Sequence, residues 1–309
     1  MTENFEQANL QDNDEVVRVK GDLSYEPEFT IREMLEAGVH FGHRTARWNA
    51  KMQPFIYGIK NELHIIDLAQ SAHLLAESVR ILREIVKKRG KILFVCTKKQ
   101  GAEIVQKVAE ENGQYFVTNK WLGGMLTNWK TISKSIKTLN EIERDLADEN
   151  SVLTKKEKLE LSKKQDKLTK QLGGIRNMQK LPDIIFVIDT PRESLAIAEA
   201  KTLSIPVMAI VDTNSDPNAI NYPIPGNDDS NKAIDLYMKI INDALSGIKD
   251  LISTNEHEKK GNDDNRRFAT KKASKSFARD KTPTTKAKEE SGVVVKVEEK
   301  LPTTTENKE

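Results

Sequence analysis

The chain has 309 residues, 37% of them hydrophobic and 31% charged, with one cysteine and a formal net charge of +2. A lone cysteine forms no intramolecular disulfide, and an acidic, polar start with no apolar run of about 18 residues gives neither a secretory signal nor a membrane span. The near-neutral sum hides local bias: residues 1–30 carry eight acids and two bases, whereas His40 to Lys60 holds Arg44, Arg47, Lys51 and Lys60 and no acid. The distribution of charge therefore bears on partners more than its total does. A cytoplasmic protein is expected.

Residues 1–28 lack apolar periodicity and read as a mobile acidic leader. Folding signals begin at Phe29. Thr30 and Glu33 form a capping box for a short helix from Ile31 to Ala37, ended by Gly38. Val39 to Met52 mixes cations, aromatics and glycines, and reads as a loop suited to phosphates, with Phe41 and Trp48 either stacking on bases or plugging a core. Leu63 to Asp67 reads as a strand. Ala69 to Lys88 follows as a helix, with Leu75, Val79, Leu82 and Val86 at helical spacing. Gly90 stops it inside a basic cluster, and Ile92 to Cys96 reads as a strand in which Cys96 is a small buried hydrophobe rather than a nucleophile. A helix from Gln100 to Glu111 and a strand from Tyr115 to Val117 complete a rhythm typical of parallel sheets.

Between Gly123-Gly124 and Gly173-Gly174 that rhythm is interrupted. Ile132, Ile136, Leu139, Ile142 and Leu146 form one apolar stripe on a charged helix. Asp148 to Ser151 supplies turn chemistry, and a second helix from Lys155 to Gln171 offers Leu159, Leu161, Leu168 and Leu172 in return. Lys130 to Lys180 holds thirteen bases against eight acids, so the stretch reads as a net basic helical hairpin. A solvated coiled-coil decoration is the bland alternative.

The strand rhythm then resumes. Asp183 to Ile188 and Pro206 to Val211 are continuously apolar, as strands buried on both faces are. Pro191 to Leu203 and Ser230 to Ile248 read as helices, with a turn-rich loop from Asp212 to Asp229. The expected fold is α/β, a doubly wound, flavodoxin-like parallel sheet of about five strands over residues 29–252, with a coiled-coil hairpin inserted at about 127–178. From Ser253 to Glu309 the composition is that of a disordered charged tail.

Catalytic patterns are weak. The loop at Thr97 to Gly101 has neither a dinucleotide glycine triplet nor a phosphate-loop ending. Asp189 and Asp212 to Asp216 stand where magnesium enzymes place carboxylates, and also where ordinary caps and turns use them. His40 and His43 invite a metal, or serve as donors to backbone or phosphate. A phosphosugar enzyme using Asp189, Asp212 and Asp216, or a coiled-coil scaffold without RNA, stays open beside a binding role.

Several stretches resemble the bacterial small-subunit ribosomal protein two family. They are Gly38 to His43, Arg47-Trp48-Asn49, Asn61 with His64 to Leu68, Trp121 to Trp129, Leu172 to Ile175, Ile205 to Val207, Val211 to Pro217 and Tyr222 to Asp229. Ala50 stands where the family usually has proline, and Lys120 where arginine often precedes the tryptophan, which removes a planar fork. The resemblance implies a structural small-subunit protein that binds rRNA, contacts other subunit proteins and helps recruit ribosomal protein one for initiation. It implies no enzyme activity, cofactor, membrane or homo-oligomer. The expected rRNA contacts are His40, His43, Arg44, Arg47, Trp48 and Lys51 in the first loop, and Lys98, Lys99 and Lys120 around the sheet. On and beside the hairpin they are Lys130, Lys134, Lys163, Lys164, Lys167 and Arg176.

Overall fold

In the computed structural model, residues 25–148 and 154–248 are described. Most of the acidic leader, the hairpin turn after Asp148 and the C-terminal tail lie outside the described residues. Thr30 caps α1 (Ile31–Ala37) as expected, its hydroxyl accepting from Glu33 N–H at 3.1 Å while the Glu33 carboxylate accepts from Thr30 N–H at 2.7 Å. The end of the leader belongs to the fold. The Arg83 guanidinium stacks 4.1 Å from the Tyr25 ring centroid, and Arg80 Nε donates to the Tyr25 carbonyl at 3.0 Å, both from α2 (Leu68–Lys87).

Among the described residues the strands form two sheets. The first is antiparallel, in the order β1-β3-β2, from β1 (Phe41–Arg44), β2 (Ile56–Lys60) and β3 (Leu63–Ile66). The second is parallel, from β4 (Ile92–Val95), β5 (Tyr115–Val117), β6 (Ile184–Ile188), β7 (Val207–Val211) and β8 (Tyr222–Pro225), in the order β5-β4-β6-β7-β8. The strand order reverses between β4 and β6, the flavodoxin-like switch point.

Two strand assignments change. Leu63–Ile66 is no part of the parallel sheet; it pairs antiparallel with β1 and β2. The β2-β3 turn uses Asn61 and Glu62, both at positive φ (52° and 61°), a two-residue hairpin without the glycine that would have announced it. The fifth parallel strand is instead β8, inside the stretch read as a loop. Pro223 and Pro225 disguise it, and they are tolerated because β8 is an edge strand. The first loop likewise contains β1 and two 3-10 turns, Thr45–Arg47 and Ala50–Phe55.

Alternate residues of the central strands feed two cores. Ile92, Phe94, Ile184, Phe186 and Ile188 meet α2, α3 (Lys99–Glu111) and α7 (residues 231–248) on one face. Leu93, Val95, Ile185 and Val187 meet α6 (Ser194–Thr202) on the other, where Ile132, Ile136 and Leu172 also pack. Both faces are covered, which explains the continuous apolar runs. Cys96 is wholly buried in the first core, and burial pushes its thiol up to about 11. Helix α6 starts later than expected. Asp189 sits at φ +72° and its Oδ1 accepts from Arg192 N–H at 3.1 Å, so Pro191 lies in a turn ahead of the helix.

Helices α4 (Trp129–Ala147) and α5 (Lys155–Leu172) follow β5 and pack against each other. Ile132, Ile136, Leu139 and Ile142 are buried as expected, but Leu159 is 57% exposed. It lies on the opposite side of α5 from Leu161, Leu168 and Leu172 at helical spacing. The glycines after α5 differ in kind. A Cβ on Gly174 would come within 2.1 Å of the Phe116 carbonyl oxygen, whereas one on Gly173 meets only Thr169 Cγ2 at 3.8 Å. Gly174→Ala is therefore expected to cost about 2–3 kcal/mol, since a backbone carbonyl cannot step aside as a side chain does. Gly173→Ala is expected within about 0.5 kcal/mol of the parent. Urea midpoints of the two variants test this, and equal midpoints would contradict it.

Candidate nucleic-acid interface

The carboxyl edge of the parallel sheet is where an open α/β fold places a ligand. Here that edge is filled by charged groups of the chain itself. Lys98, after β4, points its ammonium at Asp189 Oδ2 (3.1 Å), Asp228 Oδ1 (2.9 Å) and Asp229 Oδ1 (2.7 Å), and donates to the Asp228 carbonyl at 2.8 Å. Its three protons are thereby committed. Burial alone would lower the Lys98 pKa, but the carboxylates, Asp228 foremost, raise it overall. Burial and then the Asp212 charge push Asp228 up to about 7. Lys98 is thus a buried ammonium engaged by three carboxylates of the fold itself.

Strand β1 lies across this edge. His43 N–H donates to Thr213 Oγ1 at 2.8 Å, and Asn49 N–H donates to the Thr213 carbonyl at 2.7 Å. Gly42 is required there, because a Cβ would meet Thr213 Cγ2 at 2.5 Å. The His43 ring is four-fifths buried, with Nδ1 3.1 Å from Asp212 Oδ2 and Nε2 3.4 Å from Asp229 Oδ2. The Asp212 carboxylate raises the His43 pKa, against burial. His40 does not join it; its ring stacks 4.0 Å from Phe41, and burial lowers its pKa. Of the three acids considered as an enzyme site, Asp189 and Asp212 reach the cluster, while Asp216 pairs with Lys51 at 2.7 Å on the surface.

Other expected contact residues separate into engaged and unengaged groups. Arg176 forks onto Glu143, one bond at 2.9 Å. Trp48 is 39% exposed and lies 5.0 Å from the His64 ring, so one face packs and the other meets solvent. Trp129 packs against the second core. Arg44, Arg47, Lys99, Lys120, Lys130, Lys134, Lys163, Lys164 and Lys167 are exposed and enter no ion pair among the described residues. Lys130, Lys134 and Lys137 recur at steps of four and three along α4, as do Lys163, Lys167 and Lys170 along α5, so each helix presents a cationic row. At the foot of α5 a groove of about 1050 Å³ runs to α3. Lys91, Lys99, Lys170, Arg176 and Arg192 line it, with Glu110 as the one acid among the lining residues.

One residue that sequence reasoning missed organises the base of the helical pair. Glu199 of α6 is 6% exposed, and its carboxylate accepts from Trp121 Nε1 (3.1 Å), Gly124 N–H (2.7 Å), Leu126 N–H (2.9 Å) and both N–H and Oγ1 of Thr127 (3.1 Å each). It holds the whole Trp121 to Thr127 stretch. A glutamate in mid-helix carries no local sequence signal for this.

A family model described as Ribosomal protein S2 matches residues 34–247. The chain belongs to this family. The small ribosomal subunit protein uS2 of Granulibacter bethesdensis is 53% identical over 223 residues, which is 72% of this chain and 86% of the relative. Those of Sinorhizobium medicae and Agrobacterium fabrum are each 52% identical over 223 residues, 72% of this chain and 88% of each relative. The family is one of structural ribosomal proteins, not enzymes, so the phosphosugar-enzyme alternative falls away. The expected small-subunit, cytoplasmic location follows from the same membership. No helix among the described residues is long and apolar enough to cross a membrane.

Proposed function

We propose that the chain is a structural constituent of the small ribosomal subunit that grips small-subunit rRNA through the cationic rows of α4 and α5, acting as a projecting coiled-coil arm. The observation that carries this reading is the division of the cations. Lys98 is used up inside the fold, whereas the lysines of α4 and α5 named above are exposed, unpaired among the described residues and aligned. The α5 row ends at Lys170, which lines the basic groove at the foot of α5, and a phosphate backbone following that row would reach the groove. Lys99 lines the same groove, and Arg44, Arg47 and Lys120 are further exposed cations, with partly exposed Trp48 available for stacking. Help in seating ribosomal protein one rests on the family resemblance, and Tyr57 and Ile59, 83% and 63% exposed on β2, suit a protein neighbour there.

Reversing Lys163, Lys164 and Lys167 to glutamate is expected to lower co-sedimentation with small subunits at moderate salt, leaving thermal unfolding of the free protein unchanged. The salt slope of log affinity is expected to fall by about one for each phosphate that these lysines neutralise in the parent. Full subunit occupancy by the triple reversal would sink the proposal.

A further inference from the structure

Beside the Lys98 cluster, the carboxyl edge of the parallel sheet carries a second set of groups that the cationic rows leave unexplained. Thr97 follows β4 and Arg192 follows β6, the two strands between which the strand order reverses, where a doubly wound fold takes a ligand. Glu193, 2% exposed, accepts from the Thr97 N–H at 3.0 Å and from the Thr97 hydroxyl. The Thr97 oxygen in turn accepts from Arg192 Nε at 2.7 Å. This chain of bonds orients an exposed guanidinium whose Nη protons engage nothing else among the described residues. Arg192 lines the groove that runs from α3 to the foot of α5, as do exposed Lys99 and Lys170.

A path for phosphates alone would need only cations. This groove also presents Asn119, Gln171 and Asn177, whose side-chain amides make no hydrogen bond among the described residues. An amide offers a donor and an acceptor side by side, the pattern that matches a base edge, whereas a phosphate only accepts. Tyr115 adds a half-buried aromatic wall, its hydroxyl donating to the Asn177 carbonyl at 3.2 Å. In an A-form duplex the major-groove edges lie out of reach of side chains and the minor groove is read mostly by shape. Free amides beside an aromatic ring therefore suit nucleotides that are unpaired. The groove volume of about 1050 Å³ lies at the top of the range for small-ligand sites, about 300–1,000 Å³, which suits a short single strand rather than a helix.

We propose that the groove between α3, β5 and the foot of α5 binds an unpaired RNA segment a few nucleotides long. Arg192, with Lys99 and Lys170, holds its phosphates, while the amides of Asn119, Gln171 and Asn177 meet its base edges. The proposal rests on the rRNA reading and adds a second mode to it: the rows of α4 and α5 follow a backbone, and the groove takes exposed bases.

The test uses the full chain and fluorescence anisotropy at moderate salt, with a labelled pool of random RNA hexamers and a labelled blunt RNA duplex as separate probes. The parent chain is expected to bind both. Arg192→Gln is expected to weaken hexamer binding about tenfold and to leave duplex binding within about twofold of the parent. Asn119→Ala, which removes no charge, is expected to weaken hexamer binding about threefold without changing its salt slope. Reversing Lys163, Lys164 and Lys167 to glutamate is expected to do the opposite, weakening the duplex far more than the hexamers. Hexamer affinity unchanged in Arg192→Gln or in Asn119→Ala would overturn the proposal. So would the absence of saturable hexamer binding by the parent at about 100 μM protein, and duplex binding or co-sedimentation with small subunits would still stand in that case. Equal losses of both probes in Arg192→Gln and in the triple reversal would also overturn it, since they would mark one diffuse cationic surface.

Discussion

Glu199→Ala is expected to lower the stability of the folded chain by about 3–5 kcal/mol, the range for removing a buried charge from its partners. The carboxylate is the common acceptor of five donors, and two of the donor residues, Trp121 and Leu126, are themselves buried. Alanine would leave the buried Trp121 indole N–H and Leu126 N–H without an acceptor. Urea unfolding followed by tryptophan fluorescence is the measurement, because the Trp121 indole N–H is one of the five donors. A change below about 1 kcal/mol would mean that the strand-to-helix stretch is held by apolar packing alone. The same carboxylate sets a pH dependence. Burial by itself raises its pKa, but the donors at Leu126, Trp121, Thr127 and Gly124 outweigh burial and leave the pKa below the ordinary glutamate value. A depressed folded-state pKa contributes stability that is complete above the unfolded value and is lost as pH falls through the folded one. Glu199→Gln is therefore expected to flatten the acid limb of the stability curve, while leaving the neutral chain less stable than the parent.

Lys98→Met is expected to cost a similar amount, about 3–5 kcal/mol, by leaving the carboxylates of Asp189, Asp228 and Asp229 facing each other without their shared ammonium. Methionine keeps most of the volume, so the effect reports charge rather than a cavity. Adding Asp228→Asn removes the most buried of the three acids and is expected to return part of the stability. A double-mutant cycle on Lys98 and Asp228 then gives a coupling of about 1–3 kcal/mol. Additive single effects would show that the two groups do not act as a unit. The prediction also separates the two kinds of cation in this chain, because reversing the exposed lysines of α5 is expected to leave folding unchanged.

Local chemistry was legible wherever a signal stays within one turn or one strand. The capping box at Thr30 and Glu33, the alternating steps of three and four along α4, and the apolar runs of β4, β6 and β7 were readable, since helix period, cap geometry and two-sided burial are written in neighbouring residues. The family, too, was legible, from ordered motifs such as Trp121 to Trp129 and Val211 to Pro217. The exchange of β3 for β8 as fifth parallel strand was not legible. Both are short and lack the continuous apolar run of a central strand, and only pairing partners tell an antiparallel hairpin strand from a parallel edge.

The stretch from Thr127 to Met178 shows the same divide. The sequence alone determined that two amphipathic, net basic helices lie between two glycine pairs, because their stripes and charges repeat at the helical period. The tertiary structure decided which charges stay free to act. Lys98 and Lys99 are adjacent in the chain and chemically identical, yet Lys98 is spent on three carboxylates that follow strands β6 and β8, far along the chain, while Lys99 faces solvent. It likewise decided that Glu199 anchors the Trp121 stretch and that His43 meets Asp212 and Asp229. The reason is physical: a side chain's charge is local to its residue, but what neutralises it, buries it or leaves it to a partner is set by groups that only folding brings within a few ångströms.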